Sequence, residues 1–308
     1  LIPTKAPLYS IQEQLELPLR IPSCDVYLSP HYNIPLFPIR ARKRITTIHD
    51  VCHLEYGDSL GWIKRRYAKI MIKSAAMISD HIITGTRFSK NEIIKHIQID
   101  PNKISSIHNG VDRQLFTSTS SLSLQPLPEN FFLFVSTLAP HKNLTRLLRA
   151  WNRVIQKYPD WQLILAGKIV KNTDYLQVFN ECSNLQAHVK FLGFVDDAQL
   201  LQLYRRAVGF IYPSMYEGFG LPPLEAMAAG CPTIVSSAAS IPEVCGDASL
   251  YINPLNEEDI AQKICSLIEN PTLRHTLIDR GKKRIDLFSW EKTAQEHINV
   301  IESIFSCK

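Results

Sequence analysis

From Phe131 onward, short apolar runs alternate with segments of helical period, and this alternation limits the folds open to the chain more than any other feature. Runs at 131–135, 162–165, 189–192, 208–211 and 233–235 read as strands buried on both faces, because apolar residues fill consecutive positions. Helices are expected between them, near 143–157, 173–182, 196–206 and 221–229. Such repetition builds a parallel, doubly wound α/β sheet, whose ligands lie beyond the carboxyl ends of the strands. A sparser version precedes it, with strands expected at 25–29, 45–48, 81–84 and 104–108 and no other strand in 1–38.

Between the two patterns, residues 117–128 are rich in Ser, Thr, Leu and Pro and follow neither period, so a linker is expected there. At 308 residues two domains are the natural division. The expected boundaries are 1–116, the linker at 117–128, 129–288, and a final helix at 289–308.

The densest chemistry lies in the stretch from Tyr212 to Gly230, a strand end, a Gly-containing loop and a helix opened by Pro222 and Pro223. Glu217 falls in the loop, and Glu225 is expected in the first turn of the helix. Between them Gly218, Phe219, Gly220 and Leu221 offer backbone N–H groups to a phosphate, and the two carboxylates suit sugar or ribose hydroxyls. Together these features describe a nucleotide-sugar site. The simpler alternative is a capped helix with Glu217 solvated and Glu225 favouring the helix dipole by a few tenths of a kcal/mol to about 1 kcal/mol.

The whole stretch resembles the Glu-x7-Glu signature of retaining glycosyltransferases of family 4, which have the two-domain GT-B fold. The resemblance extends to Thr46–Asp50, Asn109–Asp112, Thr137–Leu144, Ala166–Gly167, Phe191–Val195 and Ile241–Ala248, in the family's order across nearly all of the chain. It implies two Rossmann-like domains facing a cleft, an acceptor-side N-terminal one and a donor-binding C-terminal one, with the last helix crossing back to the first domain. It also implies site roles. Glu217 meets the donor sugar, Glu225 the ribose, Lys142 the leaving diphosphate, and His49 the sugar from the other side of the cleft. Thr137 and Val195 belong to the donor-binding set. Many members carry Arg where this chain has Thr137, and some sugar-transferring relatives share the Thr.

Several classes are disfavoured by composition. Seven Cys without paired spacing favour free thiols in a reducing compartment, and no apolar run reaches the ~18 residues of a spanning helix. A metal at His49 and His53 is not expected, since the segment follows a strand and lacks helical i, i+4 geometry. Residues 1–125 hold 16 Lys and Arg against 10 Asp and Glu, whereas the remainder holds 18 against 19. The whole positive excess is therefore N-terminal, and it includes a basic amphipathic helix at 63–78. An anionic partner is expected for this region, a membrane surface or a pyrophosphate-linked acceptor, with an ordinary surface helix whose cations are simply solvated as the equal alternative. Nucleic acid is not, because aromatics are not interleaved with the charges.

The resulting expectation is a cytoplasmic enzyme, peripheral on the inner face of the membrane. It moves a hexose, mannose by resemblance, from a GDP- or UDP-sugar to a glycan or lipid-linked acceptor in polysaccharide synthesis. No metal or cofactor beyond the donor is expected. Two alternatives stay open: a nucleotide-sugar epimerase of the same architecture, and an inactive nucleotide-binding subunit. The second arises because about two strand–helix units that open GT-B first domains have no counterpart here.

Overall fold

The computed structural model of the protein describes residues 3–7, 10–56, 62–113, 127–168 and 174–306. They form two compact units, Leu1–Asn109 with Glu291–Lys308, and Gly110–Trp290. The expected linker lies outside the described residues as far as residue 126.

The second unit is built on a six-stranded parallel sheet. Its strands are β5 (Phe131–Val135), β6 (Gln162–Ala166), β7 (Val189–Gly193), β8 (Gly209–Tyr212), β9 (Thr233–Ser236) and β10 (Leu250–Ile252), in the order β10-β9-β8-β5-β6-β7. From β5 the chain winds outward through β6 and β7, then returns to the other side of β5 and winds outward through β8, β9 and β10. The winding direction therefore reverses between β5 and β8. At such a switch point the two flanking crossovers diverge and open a crevice at the carboxyl edge.

Alternation along each strand fills both faces. Phe131 and Leu133 join Phe210 and Tyr212 in one layer, whereas Phe132 and Phe134 join Ile211 in the other. The second layer is capped by helix Leu144–Lys157, whose Leu147, Leu148, Trp151 and Val154 are fully buried on one stripe. Each such side chain contributes about 1.5–3 kcal/mol on burial. Gly209 is required where β8 meets β5, since a Cβ there would lie 2.7 Å from the Phe132 ring and 2.6 Å from Leu267.

In the first unit, β1 (Cys24–Ser29), β2 (Ala41–Thr47), β3 (His81–Thr84) and β4 (Ile104–Ser106) form a parallel sheet in chain order. Helix Trp290–Ser306 packs Val300, Ile301 and Ile304 against Ile45, Ile83 and Ile107 of this unit. Six cysteines among the described residues are free thiols.

Two expected strand bounds move, and two further elements are present. β2 starts at Ala41 rather than at 45, because Asp80 pairs with the Arg44 backbone and the Arg44 guanidinium is buried against the Pro35 and Phe37 carbonyls. β4 ends at Ser106 rather than 108. Strand β10, three residues long, was not expected. Helix Ile11–Arg20 was not expected either; it is held by polar contacts, Glu13 to Asn33 and Gln14 to Ile34 and Leu36, while Ile11 and Leu19 are more than four-fifths exposed.

Candidate active site

The loops after β5 and β8 meet at the switch point, and the sequence explains how. After β5 a single turn of 3-10 helix, Pro140–Lys142, ends at Asn143 with φ +64°. This left-handed residue redirects the chain into helix Leu144–Lys157, and Asn tolerates the conformation better than most residues do. The Asn143 side chain, 3% exposed, donates to the carbonyls of Pro213 (3.0 Å) and Pro254 (2.6 Å) and accepts from Arg146 (3.0 Å). It thus ties together the loops that follow β5, β8 and β10. The His141 carbonyl adds a second tie, accepting from Met215 N at 2.8 Å and from the Ser214 hydroxyl at 3.2 Å.

These ties bring Lys142 and Glu217, 75 positions apart, into a nearly buried ion pair. Lys142 Nζ lies 2.6 Å from Glu217 Oε1, with side chains 14% and 12% exposed. The Tyr212 hydroxyl, at the end of β8, donates to the same carboxylate oxygen at 2.7 Å and lies 3.5 Å from the ammonium. Burial pushes the Tyr212 phenol well above its ordinary pKa, and the adjacent Glu217 adds to the rise. Sequence reasoning assigned roles to Lys142 and Glu217 but missed Tyr212 and Asn143. A tyrosine closing an apolar strand reads as core, and an asparagine beside a helix start reads as a cap.

The loop continues to Gly220, whose φ of +102° turns the chain into helix Leu221–Ala228. A Cβ at Gly220 would lie 2.6 Å from Ile241. The Ser240 hydroxyl holds the Glu217 and Phe219 carbonyls at 2.8 and 3.0 Å, and the Phe219 side chain is buried edge-on to Phe288. Because Pro222 and Pro223 have no N–H, the first amide of the helix is that of Leu221. Glu225 is the fifth residue of this helix and lies in its second turn, not the first as expected, because one turn takes 3.6 residues.

Glu225 accepts from the Tyr204 hydroxyl at 3.2 Å. Burial pushes its carboxyl above the ordinary range, the Tyr204 bond opposes the rise and Asp197 adds to it. An acid whose folded pKa is raised destabilises the fold above that pKa and has no such effect below its unfolded pKa. Glu225→Gln, which keeps an acceptor for Tyr204, is therefore expected to melt higher than wild type at neutral pH. The difference should shrink to nothing as pH falls through the carboxyl range. Thermal unfolding across pH checks this, and an equal change at both ends would contradict it.

Thr137 is exposed in the loop after β5, and Val195 is half-buried after β7, packed against the core of this unit. His49 belongs to the first unit, where it is exposed just beyond β2; its Nε2 lies 3.0 Å from the Pro30 carbonyl, which can only accept. The proton is accordingly on Nε2. Among the described residues, three ligand-type side chains come within 4.8 Å of one another at Glu55, Glu92 and His96, a set that includes neither His49 nor His53. Lys95 and His96 already pair with both glutamates of that set.

Comparison with known proteins identifies the family of the chain. The family described as "Glycosyl transferases group 1" matches residues 121–284, and "Glycosyltransferase Family 4" matches residues 5–115. O-antigen chain mannosyltransferase B of Escherichia coli is 29% identical over 284 residues, which cover 89% of this chain and 73% of that protein. O-antigen chain mannosyltransferase RfbU of Salmonella typhimurium is 31% identical over 266 residues, covering 85% and 70%. Among solved structures, Anabaena Alr3699/HepE in complex with UDP-glucose has a TM-score of 0.75 at 21% identity, over 91% of this chain and 79% of that one.

Proposed function

Since this chain belongs to the glycosyl transferases of group 1, we propose that it moves mannose from GDP-mannose to a glycan or lipid-linked acceptor, with retention at the anomeric carbon. Glycosyl transfer as such, and a GT-B fold of two Rossmann-like domains, come with the family. The observation that carries the proposal is the meeting of Lys142 with Glu217 at the reversal between β5 and β8. A cation and a carboxylate side by side there suit a diphosphate and the sugar attached to it.

In the mechanism this suggests, Lys142 faces the diphosphate and offsets the negative charge that grows as the glycosidic bond lengthens. Glu217 faces the sugar, where positive charge grows at the same moment. Glu225 receives the ribose hydroxyls. The leaving phosphate oxygen itself takes the proton of the incoming acceptor hydroxyl on the same face, which would retain configuration. Thr137 and Val195 line the donor, and the amides of Gly218 to Leu221 help to neutralise phosphate. Mannose and a surface-polysaccharide acceptor are favoured by the names of the two relatives above. The test is incubation with GDP-mannose and, separately, UDP-glucose plus a lipid-linked acceptor, followed by assignment of the anomeric configuration of the product. Transfer of α-mannose supports the proposal. Inversion, transfer from the uridine donor alone, or epimerised free donor would each refute it.

A second expected partner is an anionic membrane surface, on whose inner face the enzyme would act. Helix Trp62–Ile78 contains no Asp or Glu and buries Ala68, Met71, Ile72, Ala75 and Ala76. Its exposed face interleaves Arg66, Lys69 and Lys73 with Trp62, Ile70 and Met77, the mixture an interfacial helix presents to lipid. No helix among the described residues is long and apolar enough to cross a membrane. Each cation near an anionic surface is worth about 1 kcal/mol and is weakened by salt. Flotation with phosphatidylglycerol vesicles is expected to carry the protein at low salt and to lose most of it at high salt. Equal flotation with neutral vesicles would contradict this.

A further inference from the structure

Glu217 Oε1 accepts from both the Lys142 ammonium and the Tyr212 hydroxyl, whereas Oε2 accepts no hydrogen bond among the described residues. The two donors differ in how freely they can leave. Lys142 is held at the end of a flexible stem, but Tyr212 is 2% exposed, stacked on Phe210 and fixed in the middle of the sheet. On the reading that a sugar linked to a nucleoside diphosphate binds here, one ammonium faces two anionic groups. The diphosphate carries more charge than the carboxylate and attracts the ammonium more strongly.

We propose that the diphosphate draws Lys142 off Glu217, and that Tyr212 is the positioning residue that keeps the carboxylate in place once Lys142 has gone. The Lys142–Glu217 pair is then an exchangeable contact, and Tyr212 a permanent one. A nearly buried carboxylate stripped of the cation paired with it is costly unless another donor remains. The Tyr212 hydroxyl is that donor, and its proton stays on the phenol throughout. Oε2 is left to meet a hydroxyl of the sugar.

Two substitutions should move diphosphate affinity in opposite directions. Glu217→Gln removes the competitor for Lys142, so GDP or UDP should bind about tenfold tighter, the equivalent of one charge-assisted hydrogen bond. Tyr212→Phe makes the exchange harder, so the same ligands should bind about tenfold weaker. Guanosine and uridine, which have no claim on Lys142, should bind all variants as they bind wild type. The double variant should match Glu217→Gln alone, because with the carboxylate gone Tyr212 has nothing to hold.

Calorimetric titration of the four proteins with GDP, UDP and the two nucleosides tests this. If Tyr212 merely fills space, Tyr212→Phe would weaken nucleoside and diphosphate alike, and would do so equally in the Glu217→Gln background. That result, or a Glu217→Gln variant that binds diphosphate no tighter than wild type, would overturn the exchange. Wild type that binds neither GDP nor UDP would instead overturn the donor reading on which the exchange rests.

Discussion

Replacement of Lys142 by Met is expected to lower the transfer rate by about a thousandfold, the upper range for loss of one preorganised charge-stabilising group. Lys142 is paired with Glu217, and both side chains are largely shielded from water. A cation placed there is stronger than it would be in solvent, and its value rises as charge builds on a leaving diphosphate. The same change leaves Glu217 with Tyr212 as its remaining donor, so the fold should lose on the order of 1–3 kcal/mol. The double variant Lys142→Met/Glu217→Gln separates the two effects. Stability should largely return, because no charge is left unpaired, whereas transfer should not. Urea denaturation and steady-state transfer of the three variants provide the check; recovery of activity in the double variant would show that Lys142 serves only to pair Glu217.

The largest loss of stability from a single change is expected at Asn143. Asn143→Ala leaves the buried Pro213 and Pro254 carbonyls without their donor, each costing about 1–3 kcal/mol. It also places a residue without a local hydrogen-bonding side chain at φ +64°, for about 1–2 kcal/mol more. A total of about 3 kcal/mol or more is a large share of the 5–15 kcal/mol that holds a typical domain. Asn143→Gly removes only the backbone component and should recover about 1 kcal/mol relative to Ala. Chemical denaturation of both variants measures the difference. Equal stability of Ala and Gly would mean that the left-handed turn is unstrained.

The central strands were legible because burial on both faces leaves a continuous apolar run, as in Phe131–Val135, whose bounds match the reading from sequence. The Glu217 loop and the helix after it were legible from Gly, Pro and carboxylate spacing. The contact between Lys142 and Glu217 was not. It depends on β5 pairing with β8, an adjacency set by the strand order of the sheet rather than by any local pattern. Tyr212 was hidden for a related reason: its hydroxyl matters only once Glu217 folds back over the strand end. In the first unit the basic run before Ile45 concealed the start of β2, since a buried Arg44 paired through backbone carbonyls has no hydrophobic signature. Helix Ile11–Arg20 carries Ile11, Leu15 and Leu19 at helical period, but Pro18 inside it argues against a helix when the sequence is read alone.

Binding of a nucleotide-sugar between Lys142, Glu217 and Glu225 is measured most directly by thermal unfolding in the presence of GDP-mannose. Wild type at about a hundred times the dissociation constant should gain about 2.7 kcal/mol, and Lys142→Met at the same ligand concentration should gain little. Absence of stabilisation by any nucleotide sugar, or an equal gain in Lys142→Met, would contradict it.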